Sequence, residues 1–186
     1  MDKLFANLNA VLGVGFLLAV GLMFTPHFFD RDIALSAAQW VHVFFGILWI
    51  GLLYYFNFVQ IPTMPLVPAE LKPGVSKYIA PKALFYFRWG AAFTVLSGLV
   101  LAYMWGELNE ALVLSPGARL IGVGMYLALI MAFNVWFIIW PNQKKALGIV
   151  EADADTKAKA AKTAMIFSRL NTLLSLPMLL CMVSMH

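Results

Sequence analysis

The 186-residue sequence predicts an all-α integral membrane protein, a bundle of about five transmembrane helices forming one domain over residues 1–186. Hydrophobic residues make up 62% of the chain and charged residues only 12%, too little charge to cover the surface of a soluble domain. The mean hydropathy of +0.84 agrees with this. Several apolar runs reach the roughly 20 residues that a helix needs to cross the hydrocarbon core of a bilayer.

The predicted spans are the apolar runs 4–24, 37–61, 83–105, 118–140 and 163–183. The first is longer than the apolar region of a secretory signal, so we expect it to be a retained transmembrane helix. The prolines of IPTMPLVPAELKPG end the second span, and we expect Pro141 to end the fourth, because proline lacks the N–H that a helix needs. From about Ala152 a charged, alanine-rich segment should be helical and lead into the fifth span.

The basic residues predict the orientation. Eleven of the 13 lie at the N-terminus, in the second and fourth connections or next to them, which alternate on one side of the membrane. Since cytoplasmic segments are rich in lysine and arginine, the N-terminus is expected in the cytoplasm and the C-terminus in the periplasm of a bacterial inner membrane. The net charge of +4 therefore encodes orientation, and we expect no nucleic-acid partner.

His42 is the one histidine inside a predicted span. An ionisable side chain is costly in a membrane, so it is a functional-site hypothesis by default. At about 100° per residue Trp49 and Gln60 fall on the same stripe of the helix. One interpretation makes His42 the axial ligand of a haem b iron, with Trp49 stacked on the cofactor. The alternative is a neutral imidazole that hydrogen-bonds a neighbouring helix.

A second ligand to such an iron has several candidates. His27 and His186 are both expected on the outer side, as His42 is. One of the ten methionines would also serve, and the iron could be five-coordinate. Arg119 and Arg31 are the basic residues expected on that side, and they are the candidates for contacts to the haem propionates.

The polar residues expected within or at the ends of the spans form a second group: Asn57, Gln60, Asn134, Arg88 and Arg169. Together with Lys145, most of them would lie near the inner surface and could bind an anionic or heterocyclic small molecule, since amides and guanidinium groups read planar polar rings. In the alternative, the arginines contact lipid headgroups and the amides join helices. The spans contain no acidic residue, which disfavours a proton pump or transporter.

Two stretches, HVFFGILWIGLLYYFNFVQIPTMP and IMAFNVWFIIWPNQKKALG, resemble the membrane domain of the PuuD-type urate hydroxylases, which are membrane-bound, cytochrome-c-linked urate oxidases. The resemblance covers the second to fourth helices. A histidine before the segment GILWIGL is similar, more distantly, to HemJ-type protoporphyrinogen oxidases. The resemblance implies a urate-hydroxylase-like redox protein in which His42 is a haem ligand, with Trp49, Asn134 and Trp136 as motif positions.

The sequence also departs from that family. Near the starts of the third and fourth helices the family has histidines, where this sequence has Ala83 and the region around Arg119. The family enzyme ends in a c-type cytochrome domain, and the single cysteine here forms no CxxCH motif. We therefore expect a periplasmic cytochrome c or another membrane subunit as partner. Whether the chain is itself an enzyme stays open, and the alternative is a non-catalytic accessory subunit that packs against a larger membrane complex.

Overall fold

The computed structural model describes residues 2–25 and 32–184, where all regular structure is helical. After a short turn at Asp2–Phe5, the helices are α1 (Leu8–Met23), α2 (Ile33–Thr63), α3 (Lys72–Met104), α4 (Leu108–Leu112), α5 (Arg119–Ala146) and α6 (Ala154–Val183). Four of them, α2, α3, α5 and α6, are long and apolar enough to cross a membrane. The prediction of an all-helical, multi-pass membrane protein is confirmed at this level.

Helix α1 is shorter than the predicted first span. The chain breaks at Asn7, whose side-chain Oδ1 accepts hydrogen bonds from the amides of Asn9 (3.0 Å) and Ala10 (3.3 Å) and so caps the helix. The 16 residues of α1 cover about 24 Å at 1.5 Å per residue. None of its side chains is buried, and the ring of Phe16 lies 5.7 Å from that of Trp40 in α2. A fifth span at 4–24 therefore stays a prediction.

Each of three π-helical stretches ends two residues before a proline: Tyr55–Gln60 before Pro62, Val75–Ile79 before Pro81 and Asn134–Ile139 before Pro141. Proline offers no N–H and its ring clashes with the carbonyl four residues back, so a locally wider turn lets the helix continue. The expectation that Pro141 ends the fourth span is wrong, because the helix continues through it to Ala146. For the same reason α3 begins at Lys72, well before the predicted residue 83.

Helices α2 and α3 pack antiparallel through small residues of α3. A Cβ added to Gly90 would lie 3.2 Å from the backbone nitrogen of Trp49, and one added to Gly98 would lie 2.8 Å from Cε1 of His42. Thr94, one helical turn from each glycine, lies between these two contacts. The spacing of four residues puts all three on one face of α3, which lets the two helices approach closely.

Helices α5 and α6 are joined by buried amides. The Nδ2 of Asn134 donates to Oδ1 of Asn171 over 2.8 Å, and Nδ2 of Asn171 donates to the Met131 carbonyl over 2.9 Å. Asn171 is fully buried. The α2 and α6 helices are linked in turn by the hydroxyls of Tyr54 and Ser175, 3.0 Å apart. These polar contacts join α2 and α5 to α6 around the apolar core.

The start of α6 confirms the expectation of a helix from about residue 152. Asp153 caps it, because its carboxylate accepts hydrogen bonds from the backbone amide (2.8 Å) and the hydroxyl (2.7 Å) of Thr156. These bonds stabilise the charged form, so the pKa of Asp153 is lowered from its ordinary value. The side chain is exposed and lies outside the apolar part of the helix.

Candidate functional site

A cavity of about 690 Å³ lies between α2, α3, α5 and α6. Its lining extends along α2 from Gln39 to Tyr54, a length of about 22 Å at 1.5 Å per residue. The walls are mostly apolar. This volume falls within the range of about 300–1,000 Å³ that is typical of small-molecule and cofactor sites.

His42 lies in the wall of this cavity with one nitrogen engaged. Its Nδ1 is 3.0 Å from the Thr94 carbonyl and 3.2 Å from Oγ of Ser97. A carbonyl oxygen can only accept, so Nδ1 carries the proton and the neutral ring has its lone pair on Nε2. No hydrogen bond reaches Nε2 from the described part of the chain. The arrangement matches that of metal-binding histidines, which donate through one nitrogen to a carbonyl and bind through the other.

The hydroxyls around His42 are themselves fixed. Ser97 donates to the Phe93 carbonyl over 2.6 Å, which leaves its oxygen free to accept from the imidazole. The hydroxyl of Thr94 donates to the Gly90 carbonyl over 2.7 Å. The imidazole is therefore held in one orientation by α3. Sequence reasoning missed the role of Thr94, although the spacing of Gly90, Thr94 and Gly98 was a signal of the helix contact.

The rest of the lining offers few polar groups. Trp49 is fully buried, and its Nε1 has no hydrogen-bond acceptor in the described residues. Three methionines, Met125, Met178 and Met182, contribute soft thioether sulfurs. Among residues 2–25 and 32–184 no three His, Cys, Asp or Glu side chains come together to hold a metal ion. His42, Glu107 and the methionines are the metal-ligand side chains of the lining, and an imidazole with a thioether is a pair suited to a haem iron.

The other residues proposed for a haem site lie elsewhere. Arg119 is exposed, does not line the cavity, and has its Nε 3.5 Å from the Leu114 carbonyl. His27, Arg31 and His186 fall outside the described residues. The lining contains no lysine or arginine, so haem carboxylates would have to reach the exposed end near Gln39. The residues present fit the iron and the apolar ring of a haem.

The polar residues expected near the inner surface differ in their contacts and exposure. Asn57 donates to the Leu53 carbonyl over 2.9 Å and to Oγ of Ser168 over 2.8 Å, which joins α2 to α6. The Oδ1 of Asn57 and the Oε1 of Gln60 are buried without a donor. Arg169 is exposed on α6, as is Lys145 on α5.

Arg88 is the exception, since it is buried between helices. Only 9% of the residue is exposed, and its guanidinium carbon lies 3.4 Å from the ring centroid of Trp140. Its Nε and Nη1 have no acceptor. A desolvated cation–π contact stabilises the folded state by about 2 kcal/mol, whereas burying an ion destabilises it by several kcal/mol. The indole alone therefore does not compensate the buried charge.

Comparison with known families bears on the C-terminal part of the chain. Residues 103–186 match the family described as urate oxidase N-terminal. This part, which is less than half of the chain, is similar to that family. Comparisons with curated proteins and with solved structures gave no match.

The match confirms the coarser part of the expected resemblance, a relation to urate oxidases, while the PuuD and HemJ assignments stay predictions. The matched residues comprise the end of α3 and helices α4 to α6. They supply the methionine side of the cavity, but His42 and the glycine face of α3 lie outside the match. His42 and the residues similar to urate oxidases therefore lie in different parts of the chain, and both parts contribute to the lining of the cavity.

Proposed function

We propose that this chain is a urate-oxidase-like redox protein of the bacterial inner membrane that holds one haem b in the cavity, with Nε2 of His42 as an iron ligand. The observation that carries the proposal is the imidazole itself. The Thr94 carbonyl fixes its proton on Nδ1, and Nε2 is left without a partner beside a cavity of about 690 Å³. The relation of residues 103–186 to urate oxidases supports the redox assignment.

A haem at this position would supply one-electron transfer, and the chain's own residues would set its conditions. The Thr94 carbonyl makes the imidazole a stronger donor by accepting from Nδ1. The buried Trp49 and the apolar walls exclude water, which tunes the potential of a bound iron. Met125, Met178 and Met182 line the cavity and are candidates for a second iron ligand, beside His27.

Urate is the proposed electron donor, because the matched family carries that name. Oxidation of urate releases electrons that a one-electron centre passes on singly, so the protein needs a redox partner. We propose a periplasmic cytochrome c or a membrane subunit for this role. The basic-residue pattern supports an outward-facing cavity, and we propose that the His42 end of α2 lies at the periplasmic side.

The experiment measures haem in the purified protein. Haem per chain should be close to one in the wild type and should fall at least tenfold in His42→Ala. Ser97→Ala is the matched control, because it removes a neighbour of the imidazole and leaves the bond to the Thr94 carbonyl. It should keep the haem. In the absence of oxygen, urate should then reduce the bound haem.

Two results would count against the proposal. If the wild type carries no haem after expression with sufficient haem supply, His42 is a structural residue. If haem is bound equally by wild type and His42→Ala, the iron is held elsewhere. If haem is bound through His42 but urate does not reduce it, the proposed cofactor stands and urate is excluded as the electron donor.

One observation favours a second candidate function, a non-catalytic accessory subunit. Helix α1 buries none of its side chains against the rest of the described chain, and large apolar residues such as Leu12, Phe16 and Leu18 are exposed. An apolar helix that buries no side chain within the described residues, and whose Phe16 contacts Trp40, still has most of its surface available to a neighbouring subunit. Purification in mild detergent should then yield one constant larger complex. Loss of that complex on replacing Phe16 and Leu18 with alanine would support this function, and an unchanged monomer would exclude it.

A further inference from the structure

Arg88 of α3 contacts two tryptophans of α5. The indole Nε1 of Trp136 donates to the backbone carbonyl of Arg88 over 3.2 Å, which ties α3 to α5 at this level. The guanidinium carbon then lies over Trp140 at 3.4 Å from the ring centroid, and 6.0 Å from that of Trp136. Because only 9% of the residue is exposed, the side chain is held in the bundle and does not extend freely to the lipid.

A second cation lies on the same indole. The Nζ of Lys144 is 5.6 Å from the ring centroid of Trp140. No ion pair with an acidic side chain compensates either cation within the described residues, and Nε and Nη1 of Arg88 are buried without any acceptor. Two positive groups on one ring repel each other unless an anion lies between or beside them. The described residues provide donors here and no matching acceptor.

We propose that Arg88 and Lys144, held on Trp140, bind an anionic oxygen group, which is either the phosphate of a lipid headgroup or a free oxyanion. Guanidinium donors match the oxygens of phosphate and carboxylate groups, and the ammonium adds a second charge. The site is distinct from the His42 cavity, since Arg88, Trp140 and Lys144 do not line it. It therefore does not depend on the presence of haem.

The test uses the full chain in lipid nanodiscs and measures its melting temperature. One preparation contains phosphatidylcholine alone, with and without inorganic phosphate at matched ionic strength. The other contains added phosphatidylglycerol. A ligand at a hundred times its dissociation constant should raise the melting temperature by about 5–10 °C. Arg88→Gln should abolish the rise. Arg169→Gln, which removes an exposed arginine of α6, should keep it.

The two arms identify the source of the anion. A rise with phosphate in phosphatidylcholine indicates a free oxyanion, and a rise with phosphatidylglycerol only indicates a lipid headgroup. The same rise in Arg88→Gln, or no rise in either arm, overturns the proposal. If Arg88→Gln does not fold, Lys144→Gln replaces it and should weaken the apparent affinity at least threefold. An unchanged affinity in Lys144→Gln would also overturn the two-cation site.

Discussion

Gly98 is the position at which a single methyl group tests how His42 is held. In Gly98→Ala the new Cβ would lie 2.8 Å from Cε1 and 3.2 Å from Nδ1 of His42. Carbon atoms prefer separations of about 3.5–4.0 Å, so the imidazole would have to move by about 0.7 Å or more. That movement acts directly on the 3.0 Å bond between Nδ1 and the Thr94 carbonyl.

The expected magnitude follows from three contributions. Overpacking costs about 1–3 kcal/mol, and a weakened hydrogen bond about 0.5–1.5 kcal/mol. Alanine in place of glycine stabilises the helix by about 1 kcal/mol, because its helix propensity is higher. The net loss is about 2 kcal/mol, which lowers the melting temperature of a chain of this size by about 4–8 °C.

The assay is thermal unfolding in detergent, followed by tryptophan fluorescence, together with the haem content per chain. Gly13→Ala in α1 is the matched control, because a Cβ there meets no atom within 4 Å. It should be neutral or slightly stabilising. If Gly98→Ala behaves as Gly13→Ala does in both measurements, the close packing of α3 against the imidazole does not hold His42 in place, and the argument for its orientation fails.

Three further predictions concern the contacts between helices and the N-terminal cap of α6. Asn171→Ala leaves its asparagine partner on α5 and a main-chain carbonyl unpaired, and should lower the free energy of unfolding by about 2–3 kcal/mol in a denaturation titration. In Gly122→Ala the new Cβ collides with the Ala111 carbonyl, so a loss of about 1–3 kcal/mol is expected by the same titration, with Gly117→Ala as the unaffected control. The pKa of Asp153 is lower in the folded protein than in the unfolded chain, so its stabilisation is present above the ordinary pKa and is lost as the pH falls below about 4. The protection factor of the residue 156 amide, which is the intrinsic exchange rate at each pH divided by the observed rate, should fall over that range in the wild type, whereas in Asp153→Ala it should be low at every pH.

The four long helices were predictable because a span needs only a run of apolar residues of sufficient length. Their ends were not, because proline was read as a stop. The structure shows that a π-helical turn two residues before Pro141 absorbs the missing N–H and the ring, so α5 continues to Ala146. A local widening of this kind depends on the packing of the whole helix. All three widenings precede a proline, but Pro177 lies inside α6 without one, so a proline alone does not predict where a helix widens.

The candidate site was predictable in part for a similar reason. His42 stood out because an ionisable group in an apolar run needs a partner. Its partner is the main-chain carbonyl of Thr94, and a carbonyl is present at every residue, so the sequence cannot identify which one accepts. The stacking of Arg88 on Trp140 was likewise hidden. Its residues lie on two helices whose relative position is set by the bundle.

A density map of the purified protein at side-chain resolution tests the central claim most directly. The account predicts planar density in the cavity bound to Nε2 of His42, with Nδ1 still on the Thr94 carbonyl. A cavity that holds only lipid chains, with Nε2 hydrogen-bonded to another side chain, would contradict it.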